Sequence, residues 1–249
     1  MKSLIVSLLA VLTLASCSTT TLDVAALNAE LTNNAGRPQA DKDRDAGRKP
    51  AEVLNFFGVE PGMKAIDLVA AAGYYTEVLS TAVGRNGKVY MQNAPASLTG
   101  ERGTRTAAAI GERLANNRLP NVERLERDFT GLGLPDNSLD VAVIALEFHE
   151  LYRASNPNAA QEFLAEMRRV LKPGGVLGVI DHAGYPVNDN GALHRALEAD
   201  VVRDAQAAGF FVAASGTMLR NLDDDRSKGV FDATIRGGTD RFVLKLVNH

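Results

Sequence analysis

Lys64-Ala65-Ile66-Asp67-Leu68-Val69-Ala70-Ala71-Ala72-Gly73-Tyr74-Tyr75-Thr76-Glu77-Val78-Leu79 changes character twice along its length. Ile66, Leu68 and Val69 are apolar and β-prone, as in a strand covered on both faces. Ala70 to Gly73 carry almost no side chain, so the backbone there can bend sharply and approach a ligand. From Thr76 apolar residues recur at helical spacing as far as Val83, and Gly84 stops the helix. A strand, a tight turn and a helix in this order aim helix N–H groups at whatever lies above the strand end. Asp67 stands where the turn begins. The stretch therefore predicts the ligand loop of a doubly wound α/β domain.

The flanking sequence extends this pattern. Pro50 suits the first turn of a helix that continues to residue 57. Further strands are predicted over 88–92, 122–126, 139–146 and 176–180, with helices over 104–119 and 157–171. A helix over 191–208 follows. Strands over 210–215 and 241–247 are then separated by a polar excursion through Asp223-Asp224-Asp225, read as a solvated loop, and the turn pair Gly237-Gly238. Alternating strands and helices imply parallel pairing with right-handed crossovers, and the last two strands add an antiparallel edge. The fold class predicted for residues 50–249 is a single α/β domain, Rossmann-like, with a doubly wound seven-stranded sheet, mostly parallel with an antiparallel edge strand. Such folds bind ligands above the carboxyl ends of their strands. That rule groups Asp67, Ala71, Gly73, Asn93, Asp128, Glu147, His149, Asp181 and His182.

Composition narrows the function class. Hydrophobic residues make up 45% of the chain and charged residues 23%, an ordinary globular balance. A net charge of −3 argues against a general nucleic-acid surface, so no nucleic-acid partner is expected. Lys2 precedes an apolar run over 4–14 that is short for a membrane span, followed by Leu14-Ala15-Ser16-Cys17. This resembles a bacterial lipoprotein signal, in which Cys17 becomes the lipidated first mature residue. The alternative is an ordinary secretory signal cut near Ser16 or Ser18. In the lipoprotein reading the protein is exported, periplasmic and membrane-anchored through Cys17. Cys17 is the sole cysteine, so no intramolecular disulfide forms. Residues 18–49 read as a tether and N-terminal extension, with a short helix over 23–31.

The order of elements and turns resembles the class I S-adenosylmethionine-dependent methyltransferases from about Pro50 to Val247. Glu60-Pro61-Gly62-Met63 is similar to the family's lead-in. Asp67 to Gly73 matches its acid-x-Gly-x-Gly-x-Gly loop in register. Leu134-Pro135-Asp136-Asn137-Ser138-Leu139-Asp140 and Leu171-Lys172-Pro173-Gly174-Gly175 match its turns into the fourth and fifth strands. Asp181-His182, His194-Arg195 and Gly238-Thr239-Asp240-Arg241-Phe242-Val243-Leu244 resemble a bacterial family of methyltransferases, often exported, whose substrate is not established. The resemblance implies S-adenosylmethionine as cofactor, held by Asp67, Val69, Ala71 and Gly73. It implies Asn93 or Gln92 at the ribose, Asp128 and Phe129 at the adenine, and Glu147 and His149 near the sulfonium and the substrate. Val69 and Ala71 replace two glycines of the loop. Because Val69 is β-branched, an ordinary backbone angle is expected there. Asn93 replaces the usual acid and loses its charged grip.

Methyl transfer is an in-line displacement that chiefly requires alignment and sometimes proton removal. His149 is the expected base, its pKa raised by Glu147 and Glu150; the competing reading is a hydrogen-bonding residue at the strand end. His182 and His194, the latter at the start of the next helix, complete the catalytic candidates. Were the intervening loop to fold back, these histidines and Asp181 would converge on a metal, but their spacing matches no metal motif and no metal is assigned. Asp67 has a second reading as the acid that caps the following helix, and Tyr74 and Tyr75 either wall the pocket or one of them packs in the core. The expected function is methylation of a small molecule by an exported enzyme. The alternative is a non-catalytic binding lipoprotein that keeps the fold with a degenerate cofactor loop. A nicotinamide-dependent oxidoreductase is disfavoured by the lack of Gly-x-Gly-x-x-Gly.

Overall fold

The computed structural model describes residues 21–249. The signal segment, Cys17 and the first residues of the extension lie outside that range. Seven strands form one sheet in the order β3-β2-β1-β4-β5-β7-β6. They are β1 (Lys64–Leu68), β2 (Lys88–Asn93), β3 (Val122–Glu126), β4 (Leu139–Ala145), β5 (Leu171–His182), β6 (Phe210–Gly216) and β7 (Arg241–Asn248). The first five pair in parallel, and β7 runs antiparallel to both β5 and β6. The reversed strand thus lies one in from the edge, and β6 is the edge itself. Chain order reverses direction between β1 and β4, which opens a crevice above their carboxyl ends.

Helices cover both faces. On one face α1 (Val24–Asn33), α3 (Pro50–Phe57) and α4 (Tyr74–Val83) bury Leu31, Leu54, Phe57 and Leu79 against Ala65, Val141 and Val243. On the other, α6 (His149–Arg153), α7 (Ala159–Val170) and α8 (Glu198–Ala207) bury Leu151, Phe163, Leu164 and Val201 against Ile66, Ala142 and Leu244. Gly178 in β5 is fixed by packing, because a β-carbon there would lie 2.5 Å from the Phe57 ring.

The charged segment before Pro50 does not form the expected tether. Residues 39–48 form α2 (Gln39–Arg48), which docks on the domain with Asp41 buried. Leu27 and Leu31 of α1 belong to the core. The charge density is accommodated by pairing. Asp41 meets Arg44 and Arg113, Arg113 also meets the fully buried Glu77, and Arg118 completes the cluster. Asp45 accepts from Arg37 and, at 2.6 Å, from the Tyr74 hydroxyl. The charge-dense segment is therefore tied into a largely buried ion-pair network that links α2, α4 and α5 (Gly100–Leu114).

The predicted helix over 191–208 begins only at Glu198. Residues 183–197 form a loop held by Ala196 N–H to the His182 carbonyl (3.0 Å) and Gly184 N–H to the Ala196 carbonyl (2.8 Å). The acidic run is also not uniformly solvated. Asp224 is buried and pairs with the fully buried Arg195 at 2.8 and 3.1 Å, while its Oδ2 accepts the Asp240 N–H at 2.7 Å. Arg195 and Asp224 therefore clasp the loop after β5 to the excursion before β7.

Candidate active site

Strand ends and helix starts enclose a cleft of about 680 Å³. Its floor is the turn after β1. Val69 has φ +50°, Ala71 +48° and Gly73 +86°. All three positions adopt the left-handed backbone, and the expected ordinary angle at Val69 is not found. A β-branched residue in that region costs on the order of 1–3 kcal/mol and persists only when its surroundings over-determine it. They do so here. Val69 N–H donates to Gln92 Oε1 (2.8 Å), Ala70 N–H to the Gln92 carbonyl (2.9 Å) and Gly73 N–H to the Ala70 carbonyl (2.8 Å). Asn93 Nδ2 donates to the Ala71 carbonyl (3.3 Å) and Arg113 Nε to the Ala72 carbonyl (2.6 Å). At Gly73 a β-carbon would sit 2.6 Å from Met91 Cε. The N–H groups of Ala71 and Ala72 have no acceptor among the described residues, which leaves two main-chain donors for a ligand.

Asp67 lies beneath this turn, buried, and accepts the Thr76 hydroxyl at 2.6 Å. Burial pushes its pKa up to about 7, with the Thr76 hydrogen bonds opposing. It is therefore both the acid that orders the first turn of α4 and a carboxyl facing the cleft.

The opposite wall begins where β4 ends. Leu146 adopts φ +64°, and Glu147 lines the cleft with its pKa pushed up to about 7 by burial; the nearby His149 opposes the rise and the Asp181 charge adds to it. His149 opens α6. Its main-chain N–H donates to Asp181 Oδ2 (2.6 Å) and its Nδ1 lies 2.9 Å from Asp181 Oδ1. Burial disfavours its cation, but the Asp181 hydrogen bond and the charges of Glu150 and Glu147 outweigh burial and hold its pKa above the usual histidine value. His149 Nε2 lies 3.1 Å from Glu150 Oε1, and the same oxygen lies 2.7 Å from His194 Nδ1. His194 reaches this point from the folded-back loop with φ +55° rather than from a helix start. His182 also lines the cleft, but its Nδ1 is engaged by the Thr239 hydroxyl at 2.7 Å. Burial and the nearby Arg241 lower its pKa to about 3, so it is neutral.

Of the residues singled out from sequence, Asp67, Val69, Ala71, Gly73, Glu147, His149, His182 and His194 share this cleft. Asn93, Asp128 and Phe129 are not on its wall. Asn93 is buried and serves the loop, with its Oδ1 unengaged among the described residues. Gln92 is buried with both ends of its amide used, by Val69 N–H and by the Arg127 carbonyl. Asp128 is exposed, and Phe129 turns inward to pack edge-on against Phe163.

Sequence reasoning missed the cationic side. Arg48 of α2 stacks over the Tyr74 ring at 4.3 Å and has neither a hydrogen bond nor a carboxylate partner among the described residues. A second cavity of about 480 Å³ adjoins the cleft and shares Arg44, Arg48, His182 and Phe231 with it. Arg236 and Arg241 complete its rim, against one acid, Asp43. Arg241 donates only to main-chain carbonyls, those of Thr239, Gly47 and Gly237. Arg44 and Arg48 stand four apart, on one face of a helix, but without knowing where α2 docks that spacing points nowhere.

Residues 72–179 match a family described as a methyltransferase domain. A ubiquinone/menaquinone biosynthesis C-methyltransferase UbiE from Shewanella pealeana is 33% identical over 131 residues, covering 52% of this chain and 46% of that protein. The chain thus spans about half the length of the curated relatives it matches. A SAM-dependent methyltransferase from Aquifex aeolicus has a TM-score of 0.61 at 25% identity, covering 91% of this chain and 99% of that one. The [4+2]-cyclase SpnF, at 18% identity, TM-score 0.61 and 87% and 85% coverage, shares the fold. The fold is the Rossmann-like fold of class I S-adenosylmethionine-dependent methyltransferases, and the likeness of residues 72–179 to a methyltransferase domain points to S-adenosylmethionine as the cofactor.

Proposed function

We propose that this protein is an exported S-adenosylmethionine-dependent methyltransferase whose acceptor is a small molecule with an anionic group and an apolar body. The observation that supports cofactor use most directly is the turn at 69–73. Val69 and Ala71 keep the left-handed angles of a glycine loop at an energetic cost, and the two free N–H groups of that turn open onto the cleft. Asp67 and the main chain of Ala71 and Ala72 would hold the cofactor, with Asn93 bracing the turn from behind through its hydrogen bond to the Ala71 carbonyl. When bound, it supplies an electrophilic methyl group on a sulfonium.

The chain's own residues account for the other requirements. Asp181 fixes the His149 ring by its Nδ1, so Nε2 faces the cleft and in the neutral form accepts a proton from the acceptor. Glu147, with its raised pKa, presents a carboxyl that is largely uncharged below neutrality. Arg48, Arg236 and Arg241, short of carboxylate partners, favour an acceptor carrying carboxylate or phosphate, while Phe231 and Val230 favour an apolar portion. Export and attachment through Cys17 rest on the signal-like sequence at 1–17. No helix among the described residues is long and apolar enough to cross a membrane.

Calorimetric titration with S-adenosylmethionine and S-adenosylhomocysteine tests the core of this reading. Saturable binding that Asp67→Ala weakens tenfold or more is expected; absence of heat at millimolar ligand rejects it. Mass spectrometry of the mature protein should find a diacylglyceryl-modified Cys17 at its N-terminus. An unmodified chain beginning elsewhere rejects the anchor.

A further inference from the structure

The loop after β5 brings together three side chains from two separate stretches of sequence. His149 Nε2, a Glu150 carboxylate oxygen and His194 Nδ1 all lie within 4.8 Å of one another. We propose that these three groups bind a single divalent transition-metal cation of the zinc class.

Each ligand type suits such a cation, and two imidazoles with one carboxylate and a fourth position left open is a pattern of catalytic rather than structural zinc. Three features of the site go beyond the proximity of the three groups. His149 already carries the outer-shell partner that ligating histidines carry: Asp181 holds Nδ1 at 2.9 Å and the same residue's main chain at 2.6 Å, which leaves Nε2 as the atom presented to the cleft. Glu150 is oriented by Arg153, whose Nη1 donates to both carboxylate oxygens, including the Oε1 that the two histidines approach. His194 is presented by a left-handed residue, next to Arg195, whose ion pair with Asp224 locks the loop. A cation would take the place of the proton between His149 Nε2 and Glu150 Oε1, which lie 3.1 Å apart. His182 is not among the groups whose ligand atoms meet within 4.8 Å.

In the transferase reading, on which this role rests, the open position would bind the acceptor's oxygen, nitrogen or sulfur as its anion. The acceptor's proton then leaves to solvent, and His149 serves as a ligand instead of a base. Metal binding itself does not depend on the transferase reading.

The test uses the full mature protein, stripped with chelator, loaded with Zn²⁺ or Co²⁺ and desalted. About one equivalent of zinc should be retained, and Co²⁺ should give the visible absorption bands of a four- or five-coordinate site. Glu150→Gln and His194→Ala should each weaken retention at least tenfold, and Asp181→Asn should do so by 10–100-fold through loss of the outer-shell partner. His249→Gln should leave it unchanged. Circular dichroism of the metal-free variants shows that each is folded. Substoichiometric retention in the parent protein, or equal retention in Glu150→Gln and His194→Ala, overturns the proposal. Cofactor titration in the presence of chelator reports separately on the transferase reading, so failure of one is distinguishable from failure of the other.

Discussion

Asp181 holds His149 twice, accepting its main-chain N–H at 2.6 Å and lying 2.9 Å from its Nδ1. The end of β5 thereby sets both the backbone start of α6 and the ring plane of the residue facing the cleft. In metal-free protein the His149 imidazole should titrate, by NMR, above the usual histidine value of about 6.5. Asp181→Asn removes the charge that raises it, so the midpoint should move down. The same variant should lower kcat by about 100-fold or more, because a mispositioned ring serves neither as base nor as ligand. An unmoved midpoint would show that Asp181 does not govern His149.

Asp67 makes stability depend on pH with a definite sign. Its folded pKa, about 7, lies above the unfolded value near 3.8. Between those values the folded state binds more protons than the unfolded one, so stability falls as pH rises from about 4 to about 7. The upper bound is on the order of 4 kcal/mol, at about 1.4 kcal/mol per pH unit. Glu147 contributes with the same sign. Urea unfolding at pH 5 and pH 8 should show the decline, and Asp67→Asn should flatten much of it. A variant as steep as the parent assigns the effect elsewhere.

Val69→Gly separates the cost of the loop from its use. Glycine accepts φ +50° freely, so the substitution relieves strain while adding about 0.5–1 kcal/mol of unfolded-state entropy. Stability should be unchanged or rise by about 1 kcal/mol in chemical denaturation, with cofactor affinity retained. A loss above about 1 kcal/mol would mean that the Val69 side chain contributes packing that outweighs its backbone strain.

Arg195→Met tests the clasp on the loop that carries His194. Arg195 and Asp224 are both buried, and removing one member strands the other charge. A loss of about 3–5 kcal/mol is expected. Hydrogen exchange should also accelerate at Gly184 and Ala196, whose main-chain hydrogen bond closes the loop. Exchange that stays slow there would show that the loop is held by other contacts.

Much of the site was legible because its positions follow from local rules. A strand end followed by small residues and a helix marks the turn at 69–73, and the exits of β4 and β5 mark His149 and His182. Asp128 and Phe129 fail the same rule, since β3 is an edge strand and Phe129 finds a better place against Phe163. The backbone at Val69 departs from its local preference for a different reason. Intrinsic preference disfavours φ > 0 there, yet the bond that Val69 N–H donates to Gln92 and those that Asn93 and Arg113 donate to the Ala71 and Ala72 carbonyls over-determine the turn.

The sequence by itself determined the strand and helix alternation, hence the sheet and the crevice above it, because hydrophobic period and turn chemistry act over a few residues. The tertiary structure alone decided how charged side chains are used. Asp41, Glu77 and Arg113 become an interior network, Arg195 and Asp224 become a clasp, and Glu150 meets His194 from 44 positions along the chain. A charged residue carries no local signal of its partner: whether it faces water, a counter-charge or a ligand depends on distances that only the folded chain sets.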